Sequence, residues 1–438
     1  MENWGLISVV PVTVLFIVAF ATKKSLEPLL VAALVGHVIL YKGSFITRWV
    51  ATLYKVMGSS HMIWLILVVT LFGALIALLE KSGGLRGFTK VALKYTNTRK
   101  RSLVITWLLG CVFFLDDYLH NLTVGPTMMG VADSHGIKRT ELAYIVNANA
   151  ANLCCVVPIS SWVVFFAGLL ETSGLTVNGT GYNAYLAIIP YLFYCWLGML
   201  VSLFFAIGII PAIGAMKKIS PVLVNEETEE EQDKPMLLNF LLPVITLVLV
   251  TLLCENEMLY GILAAIVVCL VVFMATKTMT YDEFFKTLMQ GMKNMVFIDT
   301  LLIVAFTLKD ANDTLGLANY IISVVSPIMK GGLLPVVTFI VCMIYAYVTS
   351  CFWSMAAVML PIVIPLAQGM GVNVFLTVGA VFSAAAFGSQ TCLFSDALIM
   401  NSGALNITTA DHGMTTLPYA LIGAGVACVL YAVGGFVL

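Results

Sequence analysis

Charged residues are scarce in this chain, since Lys, Arg, Asp and Glu together make up only 10% of its 438 residues. A soluble domain usually carries about 25% charged residues and about 45–50% apolar ones, whereas 61% of these residues are hydrophobic. An exposed surface this apolar does not stay in water as a monomer. The scarcity of charge therefore excludes a soluble enzyme, a nucleic-acid-binding protein and a disordered scaffold, and it predicts an all-α polytopic membrane protein.

Signatures of cofactor chemistry are also missing. The ten cysteines show neither a disulfide framework nor metal-ligand spacing, so we interpret them as small buried side chains. No glycine-rich phosphate loop followed by Lys and Ser or Thr occurs, which argues against a nucleotide-driven pump. We therefore expect no enzyme activity, no nucleic-acid partner and no cofactor. Energy should come from an ion gradient, with Na⁺ as the coupling ion.

Hydrophobic runs of the roughly 20 residues needed to cross a bilayer fill two halves of the chain, residues 1–216 and 237–438. We interpret each half as one transmembrane repeat. The acidic stretch between them, residues 217–236, is the only long polar segment and is predicted to be a cytoplasmic linker. Basic residues crowd the segment 81–101, so this loop should also be cytoplasmic, in a multi-pass protein of the cell membrane.

The two halves resemble each other when the chain is shifted by 235 residues without gaps. Residues 126–168 then match residues 361–403 at eight of 43 positions. Among the matches are Pro126 with Pro361, Val146 with Val381, and Ser160 with Ser395. Repeats of this kind underlie many secondary transporters, whose substrate sites lie near the membrane midplane between discontinuous helices. The pattern predicts two inverted repeats with discontinuous or re-entrant helices.

Ionisable side chains inside apolar runs mark the candidate site, because each is costly at membrane depth without a partner, water or an ion. In the first half these are Asp116, Asp117 and His120. On a helix, Asp116 and His120 share a face, while Asp117 points about 100° away. We predict that the three residues bind an ion or relay a proton. The alternative is a structural pair that holds two helices together.

Three asparagines, Asn147, Asn149 and Asn152, interrupt the next apolar run, which continues to Ser160 and Trp162. Their amides can bind a cation, water or an anionic group. The small residues around them predict an unwound stretch that lines a cavity. We predict that these five residues bind the substrate. The alternative is that the asparagines form only hydrogen bonds between helices.

The second half carries a further group of charged residues. Lys309 and Asp313 lie one turn apart on a predicted helix and should pair, which would leave Asp310 free or facing water at the helix end. We predict that Asp310 and Asp313 bind ions or protons; the alternative is that this cluster only marks the end of a span. Asp411 and His412 are expected to lie in a solvated loop.

The repeat counterpart of the asparagine-rich stretch is the polar segment 388–396. Ser389, Thr391 and Ser395 are predicted to bind substrate. Asp396 is the only carboxylate in the segment and is predicted to bind an ion or proton. Together with Ser395 and Thr391 it is predicted to form a Na⁺ site, because carboxylate and hydroxyl oxygens suit hard cations.

Several of these motifs, in the same order, resemble those of the NhaC family of Na⁺/H⁺ antiporters over roughly residues 60–435. The matching positions are Glu80-Lys81-Ser82-Gly83-Gly84, Asp116-Asp117-Tyr118, Ala143-Tyr144-Ile145, Pro158-Ile159-Ser160, Trp162, Trp353, Leu360-Pro361-Ile362, Phe387-Gly388, Ser395-Asp396 and Leu417-Pro418-Tyr419. The resemblance implies Na⁺/H⁺ exchange by alternating access, with a transport domain and a scaffold domain. It also implies a homodimer.

The chain departs from the family pattern at two places. The family commonly carries Asp where this chain has Asn147, and it carries an Asp-His pair within the run that is here 388–393. Two carboxylates are therefore neutral, while Asp116, Asp117 and Asp396 remain. The main hypothesis is Na⁺/H⁺ exchange at these acids. The alternative is Na⁺- or H⁺-coupled transport of a small organic acid or amino acid; a channel or membrane scaffold is a third.

Overall fold

The computed structural model describes most of the chain. It covers residues 4–22, 26–83, 95–220, 238–254, 258–317, 320, 323–324, 330–350, 352–393 and 395–438. The side chains of a few helical residues, Asp396 among them, lie outside this description. Most of the predicted acidic linker, from residue 221 onward, also lies outside the described residues.

Nineteen α-helices make up most of the described chain, and this part contains no β-strand apart from one isolated bridge. The prediction of an all-α protein is therefore confirmed. In chain order the helices are α1 (Val10–Thr22), α2 (Leu26–Tyr41), α3 (Phe45–Met57), α4 (Ser60–Lys81), α5 (Arg99–Gly110), α6 (Asp117–Ser134), α7 (Arg139–Val156), α8 (Ser161–Thr172), α9 (Gly181–Ile188), α10 (Phe193–Ala206), α11 (Leu238–Leu253), α12 (Met258–Ala275), α13 (Tyr281–Asn294), α14 (Val296–Leu315), α15 (Leu334–Thr349), α16 (Phe352–Gly369), α17 (Val374–Thr391), α18 (Asp396–Ala404) and α19 (Thr409–Val437).

Many of these helices have the length and composition of membrane spans. Seven helical segments of the described chain are long and apolar enough to cross a bilayer. Two bent pairs, α7 with α8 and α9 with α10, raise the number to nine if each pair is one span. The pairs bend by 42° and 51° at short breaks. The chain is thus a multi-pass membrane protein with discontinuous helices.

The repeat predicted from sequence recurs in the helix boundaries. Helices α6 and α16 begin 235 residues apart, at Asp117 and Phe352, and both are 18 residues long. The same offset and the same length of 18 residues relate α7 to α17. Helices α8 and α18 also begin 235 residues apart. Each repeat therefore places a helix, a break and a second helix at equivalent positions.

The first repeat folds α5 and α6 into a hairpin whose ends lie together. Arg99, at the start of α5, donates to Glu141 in the first turn of α7 at 2.9 Å. Arg139, at the start of α7, donates to Asp133 near the end of α6 at 2.7 Å. The start of α5, the end of α6 and the start of α7 therefore share one end of the bundle. We call it the basic end, because Arg99, Lys138 and Arg139 lie there.

In the second repeat, the hairpin of α15 and α16 begins and ends at the opposite end of the bundle. Gly331, just before α15, packs against Met370 after α16, and Gly332 packs against Phe436 at the end of α19. Helix α18, by contrast, ends at the basic end, where the carbonyl of Leu405 accepts a 3.4 Å hydrogen bond from Arg139. Helices α7 and α17 thus enter the bundle from opposite ends, and the repeats are inverted.

A serine closes the break in each repeat. The hydroxyl of Ser160 donates to the carbonyl of Cys154 at 2.5 Å, and the hydroxyl of Ser395 donates to the carbonyl of Ser389 at 2.7 Å. The two bonds are equivalent under the repeat. Each bond satisfies a backbone carbonyl that has lost its N–H partner because the helix is broken. An unpaired carbonyl is not tolerated in an apolar environment.

The break in the first repeat lies later than the sequence suggested. The three asparagines, predicted to be unwound, lie inside α7, which continues to Val156. Unwinding begins at Val157, whose backbone is extended with φ −83° and ψ 124°. The cause is Pro158, because a proline disfavours the helical conformation at the preceding residue and supplies no backbone N–H.

Ser160→Ala should lower the free energy of unfolding by about 1–3 kcal/mol, because it removes both the bond to Cys154 and the N-cap of α8. Ser395→Ala should have a smaller effect, since Ser395 makes no capping bond. Unfolding of the purified variants in detergent measures both. The control is Ser134→Ala, which removes an exposed bond to Val131. Equal losses in all three variants would contradict a special role for the breaks.

Candidate functional site

The tip of the first hairpin brings a carboxylate to the break between α7 and α8. Asp116 precedes α6 and caps it, because its Oδ1 accepts hydrogen bonds from the N–H groups of Tyr118 at 3.0 Å and Leu119 at 3.1 Å. Its Oδ2 accepts a 2.8 Å bond from the hydroxyl of Ser161, the first residue of α8. Asp116 therefore fixes the hairpin tip to the break.

Asp117 is the first residue of α6 and is only 1% exposed. Asp116 and Asp117 both line a small cavity of about 30 Å³, together with Ser161 and apolar side chains such as Phe72 and Trp353. A cavity of this size holds about one water molecule. Two acids that line so small a cavity can bind a proton or a small cation, because an ionisable group at membrane depth needs a partner, water or an ion.

A larger cavity of about 460 Å³ opens at the end of α4. Glu80, Lys81 and Lys286 line it. Glu80 also interacts electrostatically with Asp116. Ile76 lines the small cavity and its neighbour Ala77 lines the large one, so α4 contributes to both cavities. Glu80 is exposed in the larger cavity and close enough to Asp116 to interact with it.

His120 does not form the predicted pair with Asp116. Asp116 caps the helix from outside it, and its carboxylate oxygens are bonded to Tyr118, Leu119 and Ser161. The His120 ring is fully buried. It packs against Gly110, where a Cβ atom would lie 2.8 Å from the ring. The proton relay through an Asp116–His120 pair is therefore not supported, although all three predicted residues lie at the start of α6.

An amide network joins the two repeats at their crossing. Asn147 donates to the backbone carbonyl of Gln390 at 2.9 Å, and Asn152 donates to the Gln390 side-chain oxygen at 3.1 Å. Tyr194 of α10 donates to the same oxygen at 2.7 Å. Asn149 is different, because its amide is bonded on both sides, to Trp107 of α5 and to Ser202 of α10. Asn149 acts as a link between helices, which is the alternative that the sequence left open.

Several polar atoms at this crossing have no partner. Within the described residues, the amide oxygens of Asn147 and Asn152 and the hydroxyl of Ser389 are buried without a hydrogen bond. The same holds for both amide atoms of Asn121 and for the oxygen of Asn401. Buried polar groups are normally paired. These atoms are therefore free to bind water, an ion or a solute.

Trp162 packs against other aromatic rings. Its ring stacks on Phe352 at 5.4 Å and lies 4.6 Å from Trp353 and 5.7 Å from Phe166. Phe166 in turn stacks on Phe382 at 4.1 Å. These five rings, which we call the aromatic cluster, pack together between α8, α16 and α17. The indole N–H of Trp162 is buried without a hydrogen bond among the described residues, and its predicted contact with substrate stays a prediction.

The predicted Na⁺ site in the second repeat is only partly described, because the side chain of Asp396 lies outside the description. The other two predicted ligands are buried and already donate to backbone carbonyls. Thr391 donates to Phe387 at 2.6 Å, and Ser395 to Ser389 at 2.7 Å. Their oxygens retain lone pairs that can still accept a cation. The site therefore stays a prediction.

The charged residues of α14 lie apart from this crossing. Lys309 pairs with Asp313 at 2.7 Å, as predicted. Asp310 was expected to be free, but it forms a salt bridge with Lys55 of α3. Each carboxylate is neutralised locally, so neither is joined to the Asp116–Asp117 pair. His412, expected in a solvated loop, is fully buried in α19 and bonds to Ser402 at 3.0 Å.

Inverted repeats with broken helices, acids at a hairpin tip and a buried amide network define the chain as a secondary transporter rather than an enzyme. The sequence agrees with this, because residues 153–436 match the Na⁺/H⁺ antiporter family. The match covers well over half of the chain, which therefore belongs to that family. A relative is an uncharacterized protein of Haemophilus influenzae, 26% identical over 472 residues that cover 98% of this chain and 91% of the relative.

Two solved structures share the fold at low sequence identity. Neisseria gonorrhoeae MtrF, described within a class of antimetabolite efflux pumps, has a TM-score of 0.67 and 14% identity, covering 98% of this chain and 95% of MtrF. The Alcanivorax borkumensis YdaH transporter, described as having an unusual topology, has a TM-score of 0.61 and 14% identity. That match covers 91% of this chain and 90% of YdaH.

Sequence reasoning missed four residues of the crossing: Gln390, Tyr194, Asn121 and Asn401. Asn121 and Asn401 interrupt apolar runs as Asn147 does, so the same rule would have found them. Gln390 lies inside the predicted polar segment of the second repeat. Tyr194 gives no such signal, because a tyrosine is common in apolar helices, and only the fold shows that its hydroxyl reaches Gln390.

The amide network should be energetically coupled. In a double-mutant cycle, Gln390→Met and Tyr194→Phe should show a coupling energy of about 0.5–3 kcal/mol, because they share a buried hydrogen bond. The measurement is unfolding of the purified protein in detergent. Tyr431→Phe is the matched control, since its hydroxyl bonds to Ser383 and Tyr191 and shares no partner with Gln390. Additive losses for the Gln390–Tyr194 pair would disprove the coupling.

Proposed function

We propose that this protein exchanges Na⁺ for H⁺ across the cell membrane, in the manner of the NhaC type, and that Asp116 and Asp117 bind the two cations in turn. The observation that carries the proposal is the small cavity of about 30 Å³ lined by both carboxylates. It has room for a water-sized species. A carboxylate that binds either Na⁺ or H⁺ makes the two cations compete for one site, which is the simplest basis of exchange.

The surroundings of the two acids support this assignment. Among the described residues, the other fully buried acids, Asp133 and Glu141, are paired with arginines at the basic end. Asp116 and Asp117 instead lie at the hairpin tip, beside the break of α7 and α8. Rearrangement of the break changes their contacts. Such a change couples cation binding to the exposure of the site at one end or the other, as alternating access requires.

Asp116→Asn and Asp117→Asn should each reduce Na⁺-driven formation of a pH gradient in proteoliposomes by at least about 100-fold, because an amide cannot take up the proton. Asparagine is as good an N-cap as aspartate. Asp116→Asn therefore keeps the cap of α6 and tests the charge alone. The measurement is the fluorescence of an enclosed pH indicator after addition of NaCl.

The control for these variants is Asp313→Asn, which removes a carboxylate whose side chain is 53% exposed and paired with Lys309. An exposed ion pair contributes little to stability, so exchange should stay within about twofold of the wild-type rate. Wild-type exchange in both Asp116→Asn and Asp117→Asn would rule out these acids as the cation site.

A second candidate is Na⁺- or H⁺-coupled transport of a small organic acid or amino acid, and the amide network favours it. Gln390, Asn147 and Asn152 offer neutral donors and acceptors at the repeat crossing, as a hydrogen-bonded solute requires. Lys309 is paired with Asp313 on α14, so the amides are the polar groups that this proposal assigns to the solute. Under this function the acids of the hairpin tip still carry the coupling cation.

Uptake of labelled amino acids and carboxylates into proteoliposomes separates the two functions. Under the second candidate, uptake saturates and needs a Na⁺ or H⁺ gradient. Asn152→Ala should then weaken the apparent solute affinity by about tenfold, the effect of losing about 1.4 kcal/mol. Ser134→Ala, on the bundle surface, should leave it unchanged. A pH gradient that forms with NaCl alone, and no solute uptake, would leave only Na⁺/H⁺ exchange.

A further inference from the structure

The cavity of about 460 Å³ at the end of α4 is a cleft between α4 and α13. Glu80 and Lys81 line it from α4. Lys286, Gln290 and Asn294 line it from α13, at intervals of four residues. Residues four apart share one face of a helix, so a whole face of α13 is directed at the cavity. The exchange proposed above uses none of these side chains.

Small residues bring α13 into direct contact with α4 beside the cavity. A Cβ atom on Gly73 would lie 2.9 Å from the carbonyl oxygen of Gly291, and a Cβ atom on Gly291 would lie 2.8 Å from the Cβ of Ala77. These distances leave no room for a larger side chain, so the two backbones touch there. Ala77 also lines the cavity. The cavity therefore begins directly beside a close helix–helix contact.

The length of α4 places the cavity at the membrane surface. The segment Met62–Lys81 is an apolar candidate span of 20 residues. A helix of this length is about 30 Å long, which is the thickness of the hydrocarbon core of a bilayer. Lys81, its last residue, therefore lies at the boundary between hydrocarbon and headgroups. The cavity that Lys81 lines opens at the depth of the phospholipid headgroups.

A second face of α13 is apolar and exposed. Tyr281, Phe285 and Met289, which we call the apolar stripe, are 62%, 40% and 49% exposed and recur every four residues. Phe285 and Met289 directly precede Lys286 and Gln290, so the apolar stripe lies next to the face that lines the cavity. A helix with adjacent polar and apolar faces at this depth is suited to contact headgroups with one and acyl chains with the other.

The charges around the cavity have both signs. Lys81 and Lys286 form no salt bridge with any described residue. Glu80 lines the same cavity, and Glu283, on the exposed side of α13, interacts electrostatically with both lysines. An anion would be attracted by two ammonium groups but would also face two carboxylates. A ligand with one negative and one positive group satisfies both sets of charges.

We propose that this cavity binds the headgroup of a zwitterionic phospholipid with a primary ammonium, which is the chemistry of phosphatidylethanolamine. Lys81 and Lys286 bind the phosphate, Glu80 accepts a hydrogen bond from the ammonium, and the acyl chains lie along the apolar stripe. Basic pockets between membrane helices bind lipid headgroups in this way. A free amino acid carries the same two charges, but the apolar stripe favours a lipid. The inference goes beyond the proposed exchange and does not depend on it.

The test compares phospholipids that differ only in the headgroup. Protein purified in detergent and stripped of lipid should unfold at a higher temperature with phosphatidylethanolamine than with equal amounts of phosphatidylcholine or phosphatidylglycerol, because a ligand of the folded state stabilises it. Phosphatidylcholine has no N–H to donate to Glu80, and phosphatidylglycerol has no ammonium. Lys286→Gln should weaken the apparent affinity for phosphatidylethanolamine by about tenfold or more. Glu80→Gln should respond equally to phosphatidylethanolamine and phosphatidylcholine.

Lys293→Gln is the matched control, because Lys293 is exposed on the same helix and does not line the cavity. It should keep the wild-type response. The proposal is overturned if the wild type responds equally to all three lipids, or if Lys286→Gln behaves as Lys293→Gln does. Free phosphoethanolamine and glycine should stabilise the protein less than the lipid at equal concentration. An equal effect of either would make a soluble zwitterion the occupant and would overturn the assignment to a lipid.

Discussion

The requirement that every backbone group be paired inside the membrane governs this structure. Two helices must break to create a crossing, and each break exposes carbonyls that water cannot reach. Ser160 and Ser395, at equivalent positions of the two repeats, each satisfy one of these carbonyls. Their hydroxyls donate to the carbonyls of Cys154 and Ser389. Because hydrogen bonds within the protein satisfy these carbonyls, the chain stays ordered at both breaks. The hairpin tip and the amide network can therefore pack against the breaks.

The two repeats share a backbone plan but differ in chemistry at the crossing. Four polar residues of the basic-end side, Asp117, Asn121, Asn147 and Asn401, correspond to Phe352, Ala356, Phe382 and Phe166 on the other side. Three of these four counterparts belong to the aromatic cluster. One set of positions is therefore mostly polar, while its repeat counterparts are mostly aromatic.

The sequence predicted the architecture well because its signals are global. Low charge, apolar run lengths and the 235-residue offset each follow from the bilayer and from the repeat, and helix boundaries reproduce the offset. Local side-chain geometry was less accessible. Periodicity assumes that a helix is already present, so it paired Asp116 with His120, whereas Asp116 lies just outside the helix as its cap. The bond between Lys55 and Asp310 joins helices more than 250 residues apart, which no local pattern reveals.

The position of the acids shows how the two breaks have diverged. In the first repeat a carboxylate at Asp116 accepts from a hydroxyl at Ser161. Under the repeat these positions become Cys351 and Asp396, so in the second repeat the acid is at the start of the second helix instead of the hairpin tip. Each break thus keeps one carboxylate but carries it on a different segment.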